Sequence, residues 1–435
     1  ADLSLHGRSE VNFPDAPPDA VAYPTSTQQA ADIVSICARH GCPVVAWGTG
    51  TSLEGHSLAI RGGVTVNFSR MNKVLEVHPE DLTCRVQPGV TRRMLDMELR
   101  ASGLMFSVDP GADAALGGMA ATRASGTTAV RYGTMRDNVL ALEVVLADGR
   151  VIRTGTRAAK SSAGYDLTGL FVGSEGTLGL ITELTLKLHG RPEAVMAAMA
   201  GFPSVADAVD TVIETIQSGL PVARIELVDA ETAAAFNAYA GTDYAVQPYL
   251  MVEFHGSPAA VDECAQRFGE LAAGHGGGAF QTAATEEDQR RLWRMRHNAF
   301  YAQSTLRPGA RALATDICVP ISRLAEAISE TAADIADAPF PGPILGHVGD
   351  GNFHATLLVD PDSADEVAAA KEVCARLAAR ALRMGGTVTG EHGVGIGKMV
   401  YMAEEHGDAW EVMATIKKAM DPDNILNPGK LVQVN

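Results

Sequence analysis

Apolar and polar positions along this chain follow two periods, one helical and one alternating, and their mixture changes near residue 190. Between Thr27 and His40 the residues Ala30, Ile33, Val34 and Cys37 recur at helical spacing, and Gly41 follows as a stop signal. "PVVAW" (43–47) and "VTVNF" (64–68) predict short strands, and "VLEVHPEDLTCRVQPGV" (74–90) predicts two strands around a Pro-Glu-Asp turn. Residues 91–103 form an amphipathic helical pattern with Gly103 past its end. "NVLALEVVLADGRVIRTG" (138–155) carries Asp148-Gly149 as a hairpin turn, and "GLITELTLKLHG" (179–190) alternates as a further strand.

Beyond "GRPEA" (190–194) helices become frequent. Helical patterns at Pro203–Gln217, Ala259–Ala273, Ser322–Ala336 and Ala364–Met384 are interleaved with strand-like runs. These are "VARIELVD" (222–229), "YLMVEFHG" (249–256), "ATDICVPI" (314–321) and the pair within "PILGHVGDGNFHATLLVD" (343–360). Two α+β units of the split βαβ kind account for this succession. No low-complexity linker separates the halves, so closely docked domains are expected, and the tail "DPDNILNPGKL" (421–431) is placed as a return to the first domain.

Composition narrows the picture mainly by exclusion. A chain of 435 residues suggests two or three domains. Its 35 basic and 52 acidic residues give a net charge of −17, a field that repels polyanions and argues against nucleic-acid binding. No apolar run approaches the roughly 20 residues needed to span a bilayer. The first residues lack the basic start and apolar middle of a signal peptide. The six cysteines are scattered without a C-x-x-C pair, as reduced thiols would be. A cytoplasmic protein is expected, or a mitochondrial or membrane-peripheral one should a leader or redox partner lie out of view.

Chemistry enters with the glycines. The loop "WGTGTSLEG" (47–55) has the spacing of a phosphate-binding P-loop between Gly50 and Gly55, but His56 stands where the lysine is required and no Asp-ending strand is placed to hold magnesium. A dinucleotide fingerprint starts at Gly48 and Gly50, yet its third glycine is displaced to Gly55 and no helix follows. A ligand-free turn is the plain alternative. Two further small-residue stretches, Gly117-Gly118 to Tyr132-Gly133 and "VGSEGTLG" (172–179), also expose backbone amides suited to anions. Three such loops point to an extended cofactor with a pyrophosphate in its middle.

These motifs, "WGTGTSLEG", "VDPGADAALGGMAAT", "YG...DNVLALEVVLADG" and "GLFVGSEGTLGLIT", resemble the two-subdomain flavin-binding fold of the vanillyl-alcohol oxidase superfamily. Within it residues 5–433 resemble the FAD-dependent D-lactate dehydrogenases, glycolate oxidase catalytic subunits and D-2-hydroxyglutarate dehydrogenases. The resemblance implies an α+β protein: an FAD-binding domain at 1–190, to which 423–435 returns, and a ferredoxin-like α+β cap at 191–422. It implies an FAD site built from Trp47, Gly48, Thr49, Gly50, Thr51, Ser52, Pro110, Gly111, Gly117, Gly118, Ala121, Thr122, Ser125, Gly126, Tyr132, Gly133, Gly173, Glu175, Gly176, Gly179, Ile181 and Asn427. Thr51 occupies the position where relatives with covalent flavin place histidine, so the FAD is expected to be non-covalent, with His56 a loop residue. Arg123 departs from the family, which has a small or uncharged residue there; it can meet a cofactor phosphate, face solvent or crowd the flavin loop.

A second constellation lies near the end. "GHVGDGNFH" (346–354) puts His347 and His354 on either side of a Gly-Asp-Gly-Asn turn, and "GEHGVGIGK" (390–398) adds Glu391 and His392. Two histidines and a carboxylate suit zinc, manganese or iron with open positions for substrate. Asp350 and Asn352 are alternative ligands that turn chemistry also explains, and histidines satisfied within a turn are the structural alternative. The resemblance implies that His347, His354 and Glu391 hold one divalent metal, zinc or manganese, that His392 takes the substrate hydroxyl proton, and that Arg296 grips its carboxylate. Arg290, Arg291 and Arg294 are read as a solvated helix face.

The expected activity is oxidation of a D-2-hydroxy acid, foremost D-lactate, by metal-assisted hydride transfer to flavin N5, with glycolate or D-2-hydroxyglutarate as alternatives. Ala314 replaces a lysine common in relatives that take 2-hydroxyglutarate, which favours a monocarboxylate. Partners are the small acid, an electron acceptor (cytochrome, quinone, electron-transfer flavoprotein or oxygen) and a second copy in a homodimer. A metal-dependent hydrolase using the same histidines, or a non-catalytic FAD-binding or P-loop scaffold, are the readings from other classes.

Overall fold

Helix Thr27–Arg39 forms where the apolar stripe predicts it. Ser26 caps it by accepting the Gln29 N–H, and Ala30, Ala31, Val34 and Cys37 are its buried face. The computed structural model describes residues 2–9, 11, 13–283 and 285–434. They fall into two units: residues 1–126, 133–191 and 391–435 in one, residues 127–132 and 192–390 in the other.

The first unit holds two main sheets. A parallel sheet runs in the order Ala20–Ala22, Val64–Asn67, Val44–Trp47, and a five-stranded antiparallel sheet runs Val74–His78, Thr83–Val86, Leu180–Lys187, Val139–Val145, Val151–Arg153. Helix Thr27–Arg39 and both sheets share a core that includes Val34, Val44, Val66, Val145 and Leu180. The returning tail packs beside the central strand: Val44 N–H donates to Ile425 O at 2.7 Å and Asn427 N–H to Val44 O at 2.8 Å. This return begins at Glu391, well before the expected residue 423, because the segment after Gly390 already belongs to the first unit.

The second unit is one eight-stranded antiparallel sheet. Its order is Gln281–Ala283, Ala194–Gly201, Tyr249–Gly256, Val222–Val228, Ile344–His347, Asn352–Val359, Arg311–Ala314, with Ile317–Cys318 also on Asn352–Val359. Helices Val205–Gln217, Pro258–Gly274, Leu324–Ala336 and Ala364–Arg383 cover one face through Ile225, Leu227, Val252, Phe254, Phe353 and Leu357. Two β-α-β-β-α runs therefore share one sheet, as the split βαβ pattern predicts. Helix Ala230–Ala240 and helix Glu286–His297 lie on the opposite face with Met199, Val228 and Met251.

Three elements differ from the sequence pattern, each for a local reason. Helix Ala230–Ala240 has no visible stripe, because most of the residues it buries are small: Thr232, Ala233 and Ala235 beside Phe236. The sequence "RRLWRMRHNAFYAQ" (290–303), whose Leu292, Met295 and Ala299 make one helical stripe, is divided at Asn298 between helices Glu286–His297 and Ala299–Ser304. The strand expected at 314–321 is interrupted at Thr315-Asp316, whose polar groups turn to side-chain and backbone partners on the histidine hairpin.

Candidate active site

In the second unit the hairpin of Ile344–His347 and Asn352–Val359 pairs Leu345 with His354 and His347 with Asn352. His347 and His354 thus sit diagonally on one face, their ring centroids 5.5 Å apart at an interplanar angle of 82°. The turn between them needs Gly351: φ is +80°, and a Cβ there would lie 2.0 Å from Val319 O.

Each imidazole is fixed from behind by an oxygen that can only accept. His347 Nδ1 donates to Glu226 Oε1 at 2.8 Å, and His354 Nδ1 donates to Thr315 O at 2.9 Å. Both neutral rings must then carry their lone pair on Nε2, the tautomer in which a histidine meets a metal. Donor atoms of the two residues come within 4.8 Å of each other. Asp316 Oδ1 lies 3.7 Å from His354 Nδ1 and accepts from Asn352 Nδ2 at 2.8 Å.

Glu226 has no solvent exposure and carries a second partner, Arg296 Nη2, 2.5 Å from its Oε2. Burial pushes the Glu226 carboxyl upward, but His347 and Arg296 outweigh it and hold the net value below the usual carboxylate range. Arg296 faces inward from helix Glu286–His297 and is buried, whereas the Arg290 and Arg291 side chains are 69 % and 81 % exposed. Glu226 escaped the sequence reading; its only signal is a charge at an inward-facing position of "RIELV". A second polar chain lies on the same sheet face: Tyr132 Oη donates to His255 Nδ1 at 2.7 Å, and His255 Nε2 donates to Glu253 Oε1 at 2.7 Å. Tyr132, expected among the flavin contacts, belongs to the second unit.

Thr389 Oγ1 donates to Asp316 Oδ2 at 2.8 Å. Gly390 packs so closely that a Cβ would lie 2.2 Å from Asn352 Nδ2. The chain is therefore pinned beside the hairpin at the residue that precedes Glu391 and His392.

In the first unit the expected cofactor positions sort by what their backbone and side chains touch. Gly48, Thr49, Gly50, Thr51 and Ser52 follow strand Val44–Trp47, with Gly50 at φ +76° and Thr49 Oγ1 3.3 Å from Thr51 Oγ1. Gly111 and Gly118 have no neighbouring atom within 4 Å of where a Cβ would stand, so there is open space beside both. Gly117 and Gly179 are packing glycines, since a Cβ would lie 2.5 Å from Pro88 and 2.4 Å from Val144 respectively. Gly126 permits φ +119° against Asp109 O, and Gly133, Gly173 and Gly176 also have positive φ. Pro110 follows Asp109, whose Oδ1 accepts the Gly111 N–H at 3.2 Å. Ala121 O accepts the Glu175 N–H at 2.8 Å, Thr122 Oγ1 donates to Gly118 O at 3.2 Å, and Ser125 Oγ donates to Glu391 Oε2 at 3.1 Å. Ile181 is buried in strand Leu180–Lys187.

Arg123 caps helix Leu116–Thr122 in the left-handed region, and its Nε and Nη2 donate to Val172 O at 3.3 and 3.0 Å. Glu175 is fully committed inside the unit. Its carboxylate accepts the N–H groups of Val394 and Gly395 and lies 3.2 Å from His56 Nε2. Asn427 Nδ2 donates to Glu175 O at 2.7 Å, and Lys430 Nζ donates to His56 O, Leu58 O and Asn427 Oδ1.

Known proteins resemble this chain in sequence and in fold. Residues 18–155 match the family described as "FAD binding domain", and residues 191–431 match "FAD linked oxidases, C-terminal domain". The chain belongs to the FAD-linked oxidase family. Among its relatives are "Probable D-lactate dehydrogenase, mitochondrial" of Danio rerio, 50 % identical over 99 % of this chain and 87 % of the relative. "D-lactate dehydrogenase [cytochrome], mitochondrial" of Arabidopsis thaliana is 44 % identical over 98 % of this chain and 76 % of the relative. A glycolate oxidase subunit of Bacillus subtilis is 37 % identical over 95 % of this chain and 89 % of the relative.

Solved structures of p-cresol methylhydroxylase (TM-score 0.81, 19 % identity, 99 % of this chain and 92 % of that one) share the fold. So does 4-ethylphenol oxidase from Gulosibacter chungangensis (TM-score 0.79, 20 % identity, 100 % and 93 %). The FAD-linked oxidase assignment leaves the P-loop scaffold and hydrolase readings without support.

Proposed function

We propose that this FAD-linked oxidoreductase oxidises a D-2-hydroxy acid, D-lactate foremost, to the 2-oxo acid. Likeness to D-lactate dehydrogenases over 98 to 99 % of this chain supports the substrate class. The observation that carries the mechanism is the pair of imidazoles whose Nδ1–H groups are both tied to acceptors, leaving Nε2 as each ring's lone-pair nitrogen. That donor chemistry fits a divalent ion of the zinc or manganese kind held by His347, His354 and Glu391, which follows directly on the pinned Gly390. The match to the family described as "FAD binding domain" supports FAD, and Thr51 in place of a histidine supports a non-covalent one.

Bound FAD supplies the two-electron acceptor and the bound ion supplies Lewis acidity at the hydroxyl oxygen. The protein's own residues do the rest. Arg296, oriented by Glu226, fixes the substrate carboxylate in a forked contact. Neutral His392 takes the hydroxyl proton as Cα gives up its hydride, so the acid loses two electrons and two hydrogens in all. Glu226 keeps His347 in one tautomer. The likeness to the glycolate oxidase subunit supports glycolate as the second substrate to test.

The acceptor favoured is a cytochrome, because the plant relative and a Saccharomyces cerevisiae relative 38 % identical to this chain both bear "[cytochrome]" in their names. The relatives' mitochondrial names support the mitochondrial alternative over a cytoplasmic placement, and no helix among the described residues is long and apolar enough to cross a membrane.

Anaerobic addition of D-lactate, L-lactate, glycolate and D-2-hydroxyglutarate in turn, followed by the flavin's visible absorbance, tests the proposal. D-lactate is expected to bleach the wild type, and His392→Ala to keep its flavin yet resist bleaching. A colourless protein, or a His392→Ala variant that bleaches at the wild-type rate, would overturn it.

A further inference from the structure

Glu175 stands in the glycine-rich "VGSEGTLG" loop, where a cofactor contact is expected, and its side chain is engaged by the protein itself. The carboxylate is buried and grips two consecutive backbone amides: Oε1 accepts from Val394 N–H at 2.7 Å and Oε2 from Gly395 N–H at 2.8 Å. Consecutive amides aimed at one carboxylate form an anion nest, and charge-assisted bonds of this kind are about twice as strong as neutral ones. Burial raises the Glu175 carboxyl, while His56 and the two amides outweigh that and hold it ionised.

The backbone is shaped for this task. Glu175 takes φ +53°, a left-handed conformation unusual for a glutamate, and its carbonyl is held by Asn427. Gly393, between His392 and the clamped amides, has φ +82°, and a Cβ there would lie 2.7 Å from both Glu175 Oε1 and His56 Nε2.

We infer that Glu175 is a positioning residue: it clamps the loop immediately after His392 and so fixes where the base and its neighbour Glu391 stand. This rests on the proposed role of His392. Glutamine at 175 has nearly the same shape but a different donor pattern. Its oxygen can accept from one amide, and its NH₂ would face the other N–H, so one bond becomes a donor–donor repulsion.

The test compares Glu175→Gln and Glu175→Asp holoenzymes with the wild type. Flavin content, amide hydrogen exchange across 391–397, and kcat and KM for D-lactate are measured. Glu175→Gln is expected to keep its flavin, exchange faster at 394 and 395, and lose kcat by about 10²-fold, as a misplacement of roughly 1 Å can cause, with KM changed far less. Glu175→Asp, too short to span both amides, should show the same pattern. Wild-type exchange and kcat in both variants would overturn the clamp. So would loss of flavin with an unchanged rate per bound flavin, which would make Glu175 a cofactor-retaining residue. His392→Ala, run in parallel, separates the two ideas: full turnover there sinks the base assignment, whereas the exchange result still judges the clamp.

Discussion

Glu226 does two jobs with one carboxylate, orienting a proposed metal ligand through Oε1 and the proposed substrate cation through Oε2. Replacing it by glutamine keeps an acceptor for one partner but turns an NH₂ toward the other and removes the charge opposite Arg296. Glu226→Gln is expected to weaken zinc or manganese binding by about 10- to 100-fold, measured by competition with a chelator, while flavin content stays at the wild-type level. Metal affinity equal to the wild type would show that His347 needs no such support. Arg296→Lys isolates the other contact: a point charge cannot reproduce a fork, and KM for D-lactate should rise about 10- to 100-fold. Histidines and an arginine within motifs are visible in a sequence because their chemistry is rare; a lone glutamate in an apolar strand becomes meaningful only when folding shows what it faces.

At the scale of elements, the histidine hairpin is held by its neighbours through polar end groups. Asp229 caps helix Ala230–Ala240 by accepting the Thr232 N–H at 2.7 Å and also accepts the Ile344 N–H, where the His347 strand begins, at 2.8 Å. Asp229→Ala removes the cap and leaves a strand N–H unsatisfied. A loss of about 1–3 kcal/mol is expected in denaturant unfolding, with faster amide exchange at the start of that strand. Most strands and helices were legible because alternation and helical stripes are consequences of one-sided burial. The break at Thr315-Asp316 was not, since only the partner strand reveals that Thr315 must present its carbonyl to His354.

Across the whole molecule the net charge of −17 sets the outer field, while a few buried cations act inside. Lys430 is 1 % exposed; burial lowers its ammonium to about 7 from the ordinary 10.5, against the pull of Glu175. The folded state therefore holds fewer protons than the unfolded chain between those two values, and stability from this group rises with pH across that window. Lys430→Met should lack this contribution, so the wild type's stability relative to the variant should increase from pH 7 to pH 10 in denaturant titrations. An unchanged difference would mean that the three oxygen acceptors keep Lys430 charged throughout.

By itself the chain determined its elements, the alternation of helix and strand after residue 190, the glycine loops and the histidine-bearing turn, because those depend on local periodicity and rare residue types. The tertiary structure alone decided that Glu226 backs His347, that the Glu175 carboxylate accepts the Val394 and Gly395 amides, and that residues 127–132 belong with the second sheet. Each of these joins residues far apart in sequence, and whether a buried charge orients a ligand, clamps a loop or merely packs is set by the partners that folding brings within hydrogen-bond reach.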